Sequence, residues 1–210
     1  MARGNEGRRF NAGNEGPYPL KYAPLAPDVW ELLGALPRAG WTRRGVEDPE
    51  TVLEHTLALR KFVADNREEL LAYFSQEDIE DILDMLEIHD WPEVYTGDIT
   101  PHDDGYHNKS AGERAAMQEI CKPLGTIGEE ILALWERYET GADEVASFAR
   151  QVDKLQAIAQ AFAYEREGQV PVGTVEVFVE NSAYKITHPF LTARLQWVLA
   201  EYTEWREGQE

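Results

Sequence analysis

The stretch DEVASFARQVDKLQAIAQAF, residues 143–162, reads as one long helix. Asp143 opens it, and Val145, Phe148, Val152, Leu155, Ile158 and Phe162 recur every three or four residues, the period of an apolar helix face. In its middle stands Asp153, a carboxylate that is costly among apolar neighbours unless it is paired or binds a metal. Outward from this segment the same period repeats. Pro27-Asp28 opens a helix carrying Val29, Leu32, Leu33 and Leu36. Asp48-Pro49-Glu50 is read as the start of another, with Val52, Leu53, Leu57, Phe62 and Val63. Ser75 with Asp78 has the spacing of a capping box ahead of Ile79, Ile82, Leu83 and Leu86, and Pro92 is expected to stop that helix. Ser110 with Glu113 and Thr126 with Glu129 predict two more boxed starts, and Pro189 begins the last helix. The β-branched run 170–179 predicts a loop or a short helix, because one isolated strand cannot make a sheet. The expectation is an all-α bundle, a single domain over residues 18–210 with a flexible arm over 1–17.

Composition narrows the function. A chain of 210 residues buries enough surface to fold without a disulfide or a structural metal. Its net charge of −19 sets up a field that repels nucleic-acid backbones and anionic membranes, so no nucleic-acid polymer and no membrane is expected as a partner. No run approaches the ~20 apolar residues of a membrane span. One cysteine, Cys121, rules out an intrachain disulfide and a cysteine zinc cage, and fits a cytoplasmic location.

The chemistry centres on Ile88-His89-Asp90-Trp91-Pro92-Glu93 at a helix end. Adjacent side chains on a regular helix diverge by about 100°, so His89 and Asp90 can face one ion only where the helix tightens or stops. His55 lies on an otherwise apolar stretch of the preceding helix. Taken singly, His55 or Asp153 is better read as an ordinary core or surface residue. As a set on successive helices, His55, His89, Asp90 and Asp153 form a mixed nitrogen and oxygen donor group suited to Mn, Co, Fe, Ni or Zn, a metal site between helices.

With these residues in place, the sequence resembles the HD-domain metal-dependent phosphohydrolases, and within them the 5'-deoxynucleotidase branch. That branch carries a motif close to H-D-x-x-E-x-x-x-G-D-[IL]-x-P, and residues 89–101 here read HDWPEVYTGDITP. Upstream, Arg38-Ala-Gly-Trp41 and Pro49-Glu-Thr-Val-Leu-Glu-His55 are similar to its Gly-Trp and P-E-[ST]-V-x-x-H segments. Downstream, Arg150-Gln-Val-Asp153-Lys-Leu resembles its R-x-x-D-K-L segment, and Phe178 with His188-Pro189 its C-terminal part.

The resemblance implies an all-α fold and hydrolysis of deoxyribonucleoside 5'-monophosphates to deoxynucleoside and phosphate. It implies a divalent metal on His55, His89, Asp90 and Asp153, with Glu93 as general acid/base and Asp98 supporting the attacking water. Trp41 would pack against the deoxyribose and Arg38 meet the phosphate, with Arg43, Arg44, Lys109 and Arg114 as further cations. A homodimer is also implied, with Trp135, Trp197 and Trp205 as apolar surface compatible with one. Relatives of similar motif are triphosphohydrolases acting on deoxynucleoside triphosphates, and that is the alternative. A silent, metal-stapled binding protein would not need Glu93 and Asp98. Trp91 stands where smaller apolar residues are usual and is expected to narrow the site, and His102 and His107 lie in a loop near it.

Overall fold

The computed structural model describes residues 20–100, 102–104 and 106–209. The arm expected over 1–17 lies outside them, as does Pro101 of the motif. Among the described residues the chain forms α1 (Pro27–Ala35), α2 (Ala39–Thr42), α3 (Val52–Asp65), α4 (Arg67–Leu70), α5 (Gln76–Ile88), α6 (Glu93–Thr96), α7 (Lys109–Cys121), α8 (Thr126–Thr140), α9 (Glu144–Arg166), α10 (Thr174–Ser182) and α11 (Pro189–Glu207), and no β-strand. No described helix is long and apolar enough to cross a membrane.

Several helix starts follow the local chemistry expected of them. Asp143 caps α9, its side chain accepting the Ala146 N–H at 2.9 Å. Ser75 and Asp78 form a reciprocal capping box at the start of α5. Three starts differ from expectation. α3 begins at Val52 behind a Thr51–Glu54 box, because Thr51 offers the hydroxyl that the Asp48-Pro49 turn lacks. The Ser110 and Thr126 boxes do not form: α7 starts one residue ahead of Ser110, and Thr126 is already inside α8, behind Gly125 at φ 61°. Residues 174–182 are helical because the buried Glu165 carboxylate accepts the N–H groups of Gly173 and Val175, both at 3.0 Å, supplying from α9 the cap that the local sequence lacks.

Two apolar clusters meet along α3 and α5. Val52 and Leu53 of α3 and Ile88 of α5 belong to one, with Trp30, Leu33, Met117 and Trp135. Leu59 and Val63 of α3 and Ile79, Ile82, Leu83, Met85 and Leu86 of α5 belong to the other, with Phe148, Val152, Leu155 and Leu191. His55 lies on α3 between these two contributions, and His89 directly after the last turn of α5. The seam between the clusters therefore carries the imidazoles.

Trp91 is part of the first cluster, fully buried and set edge-on against Tyr22 and Trp30. It fills the core behind the motif and does not line the cavity, so it does not narrow the site. Trp135 is likewise core, its indole N–H donating to the His89 carbonyl at 3.0 Å, and is no candidate for an exposed interface. Trp205 packs partly buried on the second cluster, whereas Trp197 is 62% exposed.

Candidate metal and active site

The backbone tightens where α5 ends. Trp91 N–H bonds to the Ile88 carbonyl at 3.1 Å and Glu93 N–H to the Asp90 carbonyl at 3.0 Å, both closing over three residues instead of four. This tightening turns the adjacent His89 and Asp90 to one side. Their side-chain atoms Nε2 and Oδ2 lie 3.0 Å apart. His55 Nε2 approaches from α3 to 3.9 Å of the same oxygen. A ligand atom from each of His55, His89 and Asp90 lies within 4.8 Å of the others. Asp153 comes from α9, with Oδ1 3.2 Å from His55 Nε2, and stands outside that tightest trio.

The ring orientations decide what this cluster can hold. His89 Nδ1 faces the Leu86 carbonyl at 2.9 Å, and a carbonyl only accepts, so Nδ1 carries the proton. His55 Nδ1 faces Gln156 Oε1 at 2.9 Å. Both Nε2 atoms are buried without a hydrogen-bond partner despite the nearby carboxylates. Unpartnered imidazole nitrogens beside carboxylate oxygens are a donor set for a divalent cation, with the proton of each ring held by a protein acceptor behind it. The residues present fit the group.

Around the cluster the charges are interlocked. Arg38 Nη1 lies 3.3 Å from Asp90 Oδ2. Burial alone would raise the Asp90 carboxyl, but the His89 imidazole beside it, and Arg38 after it, hold it well below the usual range. Glu93 is buried, and one of its oxygens, Oε2, has no partner. Burial, then the charges of Asp90 and Asp98, raise the Glu93 carboxyl well above its ordinary value against Arg38 and Lys109. A carboxyl raised in this way is suited to a general acid/base role. Asp98 accepts the Ala39 N–H at 2.7 Å, tying the loop after α6 to the turn that carries Trp41. Lys109 Nζ lies 3.6 Å from Glu93 and 3.2 Å from Glu113, and donates to the Ile99 carbonyl.

These groups open on a cavity of about 880 Å³. Trp41 lines it while being only 3% exposed: its ring stacks on Phe178 at 4.8 Å, with Tyr164 edge-on. Arg44 sits over Phe178, and Arg43 pairs with Asp103. His102 and His107 also line the cavity. Arg114 does not; it pairs with Glu136 on the surface. Lys154, ion-paired with Asp153 at 2.7 Å, and Arg150 join the lining; both belong to the R-x-x-D-K-L segment, which by itself assigns neither a role. Seven basic and seven acidic side chains line this cavity, so a chain of net charge −19 keeps it formally balanced.

The HD domain family profile matches residues 31–196. The chain belongs to the HD domain family. This HD domain is 33% identical over 159 residues to a 5'-deoxynucleotidase, HDDC2, of Mus musculus, covering 75% of this chain and 76% of that one. It is 32% identical over 163 residues to the HDDC2 5'-deoxynucleotidase of Dictyostelium discoideum, covering 75% and 86%. A solved structure of a conserved hypothetical protein from Pyrococcus furiosus shares the fold, with TM-score 0.71 at 24% identity over 83% of this chain and 98% of that one.

Proposed function

We propose that this HD domain is a metal-dependent phosphohydrolase that converts deoxyribonucleoside 5'-monophosphates to deoxynucleoside and phosphate. The observation that carries the reading is the pair of buried, unpartnered Nε2 atoms of His55 and His89 beside Asp90, opening on a cavity whose lining mixes basic with acidic side chains. The relatives named above as 5'-deoxynucleotidases supply the substrate class. His55, His89, Asp90 and Asp153 would hold the divalent ion, which supplies Lewis acidity toward water and the phosphoryl oxygen.

The chain's own residues do the rest. Arg38, beside Asp90, meets the phosphate, where a guanidinium binds two oxygens at once. Glu93 orients the water through its partnerless oxygen and carries the proton to the leaving 5'-oxygen. Asp98 keeps the Arg38–Trp41 turn in place through Ala39. Trp41 forms the wall against the sugar, and an apolar ring there leaves a ribose 2'-hydroxyl without a partner. Arg43 and Lys109, further candidates for the phosphate, are already engaged by Asp103 and by Glu93 with Glu113.

The test is incubation with dAMP and with dATP in Mn or Co, followed by identification of the phosphorus product. Orthophosphate from dAMP supports the reading. Tripolyphosphate from dATP with dAMP untouched would replace it with a triphosphohydrolase, and no product from either would sink both.

A further inference from the structure

Behind the ligand trio runs a continuous chain of side-chain hydrogen bonds. His55 Nδ1 meets Gln156 Oε1 at 2.9 Å. The nitrogen of the same amide donates to Glu50 Oε2 at 3.0 Å. The other oxygen of Glu50 accepts the Trp41 indole N–H at 3.0 Å. The backbone of Glu50 is held as well: its N–H donates to the Tyr164 hydroxyl at 2.7 Å, and its carbonyl accepts the Arg38 N–H at 3.0 Å. One residue thus touches the turn bearing Arg38 and Trp41 and, through Gln156, a metal ligand.

The polarity of this chain is dictated from Glu50. A carboxylate only accepts, so the Gln156 amide must turn its nitrogen toward it and its oxygen toward His55. That oxygen then requires the proton on His55 Nδ1, which leaves Nε2 with its lone pair facing Asp90 and Asp153. At the other end, Phe178 sets the plane of the Trp41 ring, and the hydrogen bond to Glu50 sets its rotation within that plane. We propose that Glu50 is a positioning residue serving two sites at once: its two oxygens fix the rotation of Trp41 and, through Gln156, the tautomer of His55. The sugar half of this proposal rests on the functional reading above; the metal half does not.

The experiment swaps the two polar groups. In Glu50→Gln, residue 50 has one acceptor and one donor end, so either the Trp41 bond or the correct His55 tautomer is lost. In the double variant Glu50→Gln with Gln156→Glu, the new carboxylate at 156 accepts from both His55 and Gln at 50, whose oxygen accepts Trp41, and every bond is restored. Three quantities are read: Mn affinity of the metal-stripped protein, the kcat/KM ratio of dAMP over AMP, and, by nitrogen NMR of the wild type, whether His55 Nδ1 carries a proton. Glu50→Gln is expected to weaken Mn binding about 10-fold, the lower end for a residue supporting a metal ligand, or to shrink the sugar ratio about 5-fold. The double variant is expected to recover both, which a purely structural role of the charge at position 50 would not allow. The wild-type His55 is expected to carry a proton on Nδ1 even if the single variant does not fold. Unchanged readouts in Glu50→Gln, no recovery in the swap, or a His55 Nδ1 without a proton would overturn the proposal. Loss of all nucleotidase activity in the wild type would bring down the functional reading instead, and the metal and tautomer arms would still decide the role of Glu50.

Discussion

His55 and His89 each spend Nδ1 on a protein acceptor and keep Nε2 bare, and Asp90 and Asp153 stand beside them. His55→Ala or Asp153→Ala should therefore lose bound metal and activity together; full metal occupancy by elemental analysis in either variant would count against the assignment. Glu93 belongs to a different class of residue, close to the ligands yet with an oxygen to spare. Glu93→Gln should keep the metal and lose roughly 10²- to 10⁴-fold in kcat, the usual contribution of a general acid/base. Near-normal turnover would hand the role to another group. For Trp41, an unpaired buried 2'-hydroxyl costs roughly 1–3 kcal/mol, which corresponds to about 5- to 150-fold preference for dAMP over AMP. Trp41→Ala should narrow that preference, measured as the ratio of kcat/KM values. At this scale the sequence was informative where a residue type is restricted by chemistry, as with His and Asp on apolar stretches. It placed Glu50 only in a helix start and a motif and gave neither it nor Gln156 a role, because the two meet across 106 residues of chain.

Helix α9 carries Asp153, Gln156 and Lys154 to the site, so its start sets their height. Asp143 caps it and is also gripped by Arg137 Nε at 2.7 Å. Asp143→Ala should destabilise by about 0.5–2 kcal/mol in urea titration, the range for a lost N-cap, with the catalytic residues untouched. Between α7 and α8 the constraint is steric. A Cβ on Gly128 would lie 2.0 Å from the Cys121 carbonyl oxygen, so only glycine lets α8 start this close to the end of α7. Gly128→Ala should cost about 1–3 kcal/mol, the usual scale of overpacking, and an unchanged midpoint would show that the two helices separate freely. Thr126 and Glu129 have the spacing of a capping box but form none, because Gly125 already occupies the capping position. Local patterns name a helix well and its first residue less well, since the cap is chosen by whichever neighbour reaches the free N–H groups first.

Across the whole molecule the acid side of the stability curve has a specific contributor. His188 lies against Phe74, Phe148 and Tyr73, its Nδ1 has no partner, and burial lowers its pKa against the weaker pull of Glu144. The unfolded chain takes up a proton near the ordinary histidine value of about 6.5, which the folded chain refuses. Stability from this group is present above that pH and is lost as pH falls through it. Urea denaturation at about pH 7.5 and 5.5 should show a smaller acid-induced loss in His188→Gln than in the wild type. An equal loss would place the acid sensitivity elsewhere, such as the carboxylates around the metal cluster.

The sequence by itself determined the helical class, the positions of most helices and the candidate ligands His55, His89, Asp90 and Asp153, because periodicity and buried charge are local properties of the chain. It also carried the motif by which the family is known. Only the tertiary structure decided how the adjacent His89 and Asp90 come to one side, through the tightened turn after α5, and that Trp91 belongs to the core and not to the cavity. It alone decided that 174–182 is a helix, capped by Glu165 from another element, and that Glu50 links the metal cluster to Trp41. These outcomes depend on hydrogen-bond partners distant in sequence, and a donor left unsatisfied by its own segment takes whichever acceptor the packing brings to it.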